Sequence, residues 1–320
     1  MRVGARAICV LSILSLIALS IPARAEEGGS GHYLPGAMAD FVDVLPGAPG
    51  FGIANFPFFY EGSGGKSRAL ELGGQVAVNV KATFWGDTSL LLYETPWQPL
   101  GGSYATAIAI PLITSLDIKG NVQVGPLSVR RNDTASGISD IEFFPAMLVW
   151  NSGDLKWGTN FGIFAPTGGF AQGNLANTGK NYWTFEPGVN ISYLSTTTGL
   201  EVTGFAAFDF NTQNNITNYQ TGTQFHLDAT VAQHLPLWGG IAGAGVSAFY
   251  YQQITGDSGS GAVLGSFEGN TVGLGPVLSY AYKLNNVNLV AEAKWLPEVT
   301  TDHRLQGNFA WIKLALNVPL

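Results

Sequence analysis

The side chains best able to do chemistry in this chain are three histidines, His226, His234 and His303, and a scatter of carboxylates. His226 stands two residues before Asp228 in the stretch YQTGTQFHLDATVAQHL, from Tyr219 to Leu235. In an extended strand that spacing puts imidazole and carboxylate on one face, where the acid can polarise the ring. With a serine added, the pair would be a hydrolase triad, and lipases and deacylases can be built on barrel walls. No serine here lies in a nucleophile motif such as G-x-S-x-G, so no catalytic residue is assigned. For a metal, Asp257, Glu268, Asp302 and His303 fall in segments read as loops, without the spacing of a ligand motif. The chain is therefore not read as an enzyme, and neither a cofactor nor a metal is expected. A hydrogen-bonded histidine in a polar interior is the plainer reading of His226.

The elements that must position these groups are strands. From Gln224 the alternate residues are Gln224, His226, Asp228, Thr230, Ala232 and His234, while Phe225, Leu227, Ala229, Val231, Gln233 and Leu235 lie between them. Successive strand side chains point to opposite faces, so this is a ribbon with one polar and one largely apolar side.

The amino terminus sets the compartment. Arg2 and Arg6 precede an apolar run from Ala7 to Ile21, and Ala23-Arg24-Ala25 offers small residues two apart. This is the layout of a cleaved signal peptide over residues 1–25, too short for a membrane-spanning helix. Cys9, the only cysteine, falls within it, so thiol catalysis and disulfides are excluded from the mature chain. Without Arg2, Arg6 and Arg24, 12 basic side chains face 22 acidic ones, a formal charge of −10 that argues against a nucleic-acid partner. Only 12% of residues are charged, where soluble domains carry about 25%. No later apolar stretch is as long as a transmembrane helix. An exported chain of this kind fits an all-β, transmembrane antiparallel β-barrel in the bacterial outer membrane.

Three parts are expected: the signal peptide 1–25, a Gly/Pro-rich segment 26–50 that could plug the lumen, and a barrel over 51–320. Tyr33, Phe41 and Phe51 are the candidate plug contacts. Strands are read at 51–60, 72–84, 104–127, 138–150, 155–165, 182–194, 200–211, 219–235, 241–253, 271–284, 287–297 and 308–320. That makes about twelve, the even number such barrels require. Residues 86–136 are the least legible, with Arg130 to Gly137 read as a loop. Tight turns such as NSGD at 151–154 and Asn285-Asn286 alternate with longer loops, including 166–180 and 255–269. In outer-membrane barrels the tight turns are periplasmic and the long loops external. Ala310, Ile312, Leu314, Leu316, Val318 and Leu320 form an apolar row such as the barrel-assembly machinery engages.

If every apolar face meets lipid and lipopolysaccharide, parity sends Asn79, Lys81, Asp140, Glu142, Glu186, Asn190, Asp209, His226, Asp228, Glu292 and Lys294 into the lumen. Those groups could tune a cation-tolerant pore, or simply pair with one another and hold the barrel filled.

Several segments carry a resemblance to a known family: EGGSGHYLPG (27–36), ISDIEFFPAMLVW (138–150), APTGGF (165–170), NTGKNYWTFEPGVNISY (177–193), TNYQTGTQFHLD (217–228), YYQQITGDSGSG (250–261), VGLGPVLSY (272–280) and GNFAWIKLAL (307–316). In this order they resemble the outer-membrane transporter family associated with meta-pathway phenol degradation, over most of the mature chain. The resemblance implies an outer-membrane barrel and passive passage of small hydrophobic or aromatic solutes. Two other readings are weighed beside it: a barrel lipid hydrolase, and a structural or adhesive barrel acting through its external loops.

Overall fold

The computed structural model describes residues 27–40, 49–64, 69–266 and 268–320. The segment expected to be a signal peptide and Phe41 lie outside these residues. Among them are fourteen strands: β1 Gly50–Ser63, β2 Ala69–Leu72, β3 Gln75–Glu94, β4 Ser103–Val124, β5 Leu127–Ile138, β6 Ile141–Ser152, β7 Leu155–Ala165, β8 Thr184–Leu194, β9 Leu200–Asn211, β10 Gln224–Leu237, β11 Gly240–Gln253, β12 Asn270–Leu284, β13 Val287–Asp302 and β14 Gln306–Pro319.

Two pairs of these are single staves with an interruption. β2 continues β1 along the same edge of β3, and β5 and β6 run one after the other along β4. The result is twelve staves, each antiparallel to its neighbours, and β1 pairs with β14 from Gly50↔Pro319 to Ser63↔Gln306. Closure satisfies the backbone donors and acceptors that an open sheet edge would leave bare in hydrocarbon.

The alternation read in the sequence decides which face is which. Phe185, Val189, Ile191, Val202, Phe208, Phe210, Leu227, Val231, Leu274, Leu278, Ile312 and Leu314 all face outward and exposed, in adjoining staves. So large an apolar surface would drive aggregation in water and suits a lipid surround. At one end the connections are tight. Trp238 (φ 48°) and Gly239 (φ 79°) both take the left-handed conformation that a two-residue hairpin turn demands, closed by the pair Leu237↔Gly240. At the other end lie the long connections 166–183, 212–223 and 254–269.

The structure corrects the reading of residues 75–138 in two places. β5 is a strand over most of what was read as the loop from Arg130 to Gly137. Its alternation of polar residues gives no apolar face, and it is extended because β4 pairs with it from Leu112↔Ile138 to Val124↔Leu127. Tertiary pairing overrides the local signal. In β3 the register slips between Val78 and Lys81, at Asn79, whose φ is 55°. One extra residue reverses the faces of everything after it. Val80 and Ala82 consequently point into the barrel and are buried, whereas Asn79 and Lys81, expected inside, lie exposed on the outer face.

Candidate functional site

The lumen wall is divided by chemistry. From β7 round to β14 the inward positions carry mostly polar groups; from β14 through β1, β3 and β4 to β6 they are mostly apolar.

On the polar side, β8, β9 and β10 deliver Thr184, Glu186, Glu201, Asp209, His226, Asp228 and His234, all buried. His234 Nε2 lies 2.6 Å from Glu201 Oε2, an ordinary charge-assisted hydrogen bond. Asp228, two residues from His226, does not polarise it. Its Oδ1 accepts instead from the Tyr33 hydroxyl at 2.7 Å and from the Gly36 backbone N–H at 3.1 Å. His226 Nε2 faces Glu186 Oε2 at 3.4 Å and Asp209 Oδ1 at 3.7 Å. Glu142 reaches this group across Gly162, where a Cβ would come within 2.6 Å of its Oε1. Asn190 also points inward, beside Met38 and Ala39.

Residues 27–40 lie inside the barrel against this polar wall. His32 Nε2 is 2.9 Å from Asp140 Oδ2 and its Nδ1 is 2.7 Å from the Thr184 hydroxyl. The order hydroxyl, imidazole, carboxylate resembles a hydrolytic triad, but Thr184 is fully buried and donates to Asn211 Oδ1 at 2.6 Å. Its proton is thus directed away from the imidazole that would have to remove it. The Tyr33 ring stacks on His226 with centroids 3.8 Å apart. Trp311 Nε1 donates to the Pro35 carbonyl at 3.0 Å, and Lys180 Nζ donates to Ser30.

The segment ends in a double ion pair. Asp40 Oδ2 receives Lys294 Nζ at 2.8 Å and Lys313 Nζ at 2.7 Å, with Glu292 3.4 Å from Lys294. Burial alone would raise the Asp40 pKa, but the two ammonium groups outweigh it and hold the carboxyl well below its ordinary 3.8. Lys294 also donates to the Gly36 and Met38 carbonyls. Gly36 takes φ +80°, and a Cβ there would lie 2.1 Å from Leu296 Cδ1, so only glycine makes this bend against the wall.

The apolar side is built by Ala54, Phe56, Phe58 and Tyr60 of β1, Ala82, Phe84, Leu90 and Leu92 of β3, and Ala107, Ala109, Ile113 and Ile118 of β4. Phe309 and Trp311 of β14 extend it, with Phe58 and Trp311 rings 5.0 Å apart. Between this wall and residues 27–40 lies a cavity of about 550 Å³, whose apolar edge also takes Leu34, Ala37 and Met38. That volume is within the range of sites for small organic ligands, ~300–1,000 Å³.

Of the residues expected in the lumen, Asp140, Glu142, Glu186, Asn190, Asp209, His226, Asp228, Glu292 and Lys294 point inward. Asn79 and Lys81 do not, because of the extra residue in β3. Of the candidate plug contacts, Tyr33 is buried on His226, whereas Phe51 lies on the outer face of β1, half exposed and stacked on Tyr93. Phe51 sits one position off the inward parity of β1, shared by Ala54, Phe56 and Phe58. Missed altogether were His32, Asp40 and Lys313. Glycine-proline spacing marked their segment as irregular without saying which wall it would meet, while Lys313 was legible as the one charge in the apolar last strand.

A closed twelve-stave barrel with an apolar outer band, a partly filled lumen and strongly unequal connections defines the outer-membrane β-barrel class. Within it, the chain belongs to the family described as "Putative MetA-pathway of phenol degradation", whose model matches residues 67–314. Among solved structures, an outer-membrane channel from Pseudomonas putida F1 has the same fold, with a TM-score of 0.64 at 11% identity over 89% of this chain and 99% of that one. More distant are the β-domain of the Bordetella autotransporter BrkA (TM-score 0.48, 13% identity, 85% and 100% coverage) and a Pseudomonas aeruginosa FadL homologue (0.42, 10%, 86% and 91%). No curated protein matches the sequence.

Proposed function

We propose that this protein is exported to the outer membrane and there gives small hydrophobic or aromatic molecules a passive route across it. The observation that carries this reading is the cavity of about 550 Å³ beside residues 27–40, whose wall along β1, β3, β4 and β14 is largely apolar. A channel for hydrophilic solutes would want polar groups there. Here apolar side chains present a surface on which an aromatic ring gains hydrophobic and stacking energy without binding tightly. Residues 27–40 act as the plug on the polar side, so the lumen holds no wide aqueous path while the segment is seated. No nucleotide-binding loop marks the sequence, and transport follows the gradient of the solute.

The test is uptake of a dilute labelled aromatic hydrocarbon by cells that carry the barrel as their route for it. Ala82→Trp and Ala109→Trp each place a large ring in the apolar corridor. Uptake should fall severalfold in both, with barrel assembly unchanged by the heat-dependent shift in gel mobility. Uptake through the unsubstituted barrel no greater than that of cells lacking it, or undiminished uptake in both variants, would overturn the reading.

A further inference from the structure

Glu186 of β8, Asp209 of β9 and His226 of β10 each supply one ligand atom, and these atoms lie within 4.8 Å of one another. All three residues are buried, Asp209 and His226 completely. Both oxygens of Asp209 and both ring nitrogens of His226 lack a hydrogen-bond partner among the described residues, although neighbouring polar groups such as Thr184 and Glu201 are well supplied. Leaving such atoms unpaired in a buried site is costly.

The distances say what is missing. His226 Nε2 stands 3.4 Å from Glu186 Oε2 and 3.7 Å from Asp209 Oδ1, too long for good N–H to oxygen bonds, which close to ~2.7–3.2 Å. His234 and Glu201, on the same wall, do close to 2.6 Å. Two ligands each ~2.1 Å from a tetrahedral ion stand about 3.4 Å apart, near the 3.4 and 3.7 Å that separate His226 from its two carboxylates. Glu142, brought over Gly162, is placed to serve as a further oxygen donor, and Glu142, Glu186 and His226 all border the cavity, so an ion can reach them.

We propose that Glu186, Asp209 and His226 form a binding site for a first-row divalent cation of the zinc type, with Glu142 as an additional ligand. A mixed imidazole and carboxylate set suits such ions, whereas calcium prefers oxygen alone. Neutral imidazole with Glu186 and Asp209 as carboxylates, and Glu142 bound as the neutral acid, would balance the dication in a buried setting. The ion would tie three neighbouring staves together directly beneath the Tyr33 ring, which stacks on His226.

Cobalt(II) alone is the probe, titrated into EDTA-washed, refolded full-length barrel in detergent, with its visible ligand-field absorption as the readout. The expected result is one equivalent bound with an intense band of low coordination number and a rise in unfolding temperature. His226→Ala and Asp209→Asn should each abolish the band, and His234→Ala should leave it intact. Asp209→Asn preserves shape, so it decides the matter if His226→Ala does not fold. A folded wild-type barrel with no band, meaning that an imidazolium alone holds the carboxylates, overturns the proposal. So does a band that survives both ligand substitutions, which would mark adventitious binding elsewhere.

Discussion

Asp40 holds two lysines at once, and this makes it the most consequential single carboxylate of residues 27–40. Asp40→Asn would remove the carboxylate that Lys294 and Lys313 share, and removing one partner of a buried ion pair costs ~3–5 kcal/mol. That loss should appear as a large rise in single-channel conductance, because the segment leaves the wall. The sign of the pH effect follows from the depressed pKa. A carboxyl lowered on folding contributes fully above its unfolded value and loses its contribution only as pH falls through the folded one. Since Asp40 is held well below 3.8, conductance should stay flat from neutral pH to about pH 4 as far as this group is concerned. Gly36→Ala should unseat the segment as well, since both the positive φ and Leu296 oppose a side chain there. Its conductance should resemble that of Asp40→Asn. The sequence showed His226 and Asp228 on one face but not their separate uses. Asp228 is taken by Tyr33, from a segment 195 residues away, and no local pattern encodes such a partner.

Among the elements, period-two alternation made β7 to β14 legible, because each has one face in lipid and the other in a polar interior. β3 misled for the opposite reason. Its apolar row faces an apolar lumen wall, so the rule that sends polar residues inward has no purchase after Asn79. Deleting Asn79 would remove the extra residue and leave Ala77, Val80, Ala82 and Phe84 on the inner face and Lys81 outside, now in plain alternation. We expect the deletion variant to keep the heat-dependent gel shift and aromatic uptake; loss of either would show that the extra residue does more than reset the faces. β5 was illegible because its extension comes from pairing with β4; burial does not require it. Arg131 and Asp133, 2.7 Å apart, further tie it to Gln75 and to the 166–183 connection.

For the whole molecule, the strand count and closure followed from length, turn spacing and the apolar outer face, while the division of the lumen into two chemistries did not. It needs the wall to be rolled up before β1, β3, β4 and β14 are seen to be neighbours. Removing residues 27–40 should raise ionic conductance severalfold, with cation preference from the inward carboxylates. Aromatic uptake should change much less than conductance. Planar-bilayer recording and cellular uptake on the same variant separate the two.

Most hydrogen bonds and ion pairs of residues 27–40 run to polar groups, among them Thr184, Asp228, Lys294 and Lys313, while the cavity follows the apolar wall and touches Glu142, Glu186 and His226 only at its polar edge. On the proposed route the barrel is stoppered against bulk water and open to oil at the same time. A continuous file of water and ions would have to displace the stopper, whereas a benzene-like solute would dissolve its way past it along the apolar strip of β1, β3, β4 and β14. Such a route would admit hydrocarbon without making the cell envelope leaky, a one-phase filter that works by wettability and not by pore size.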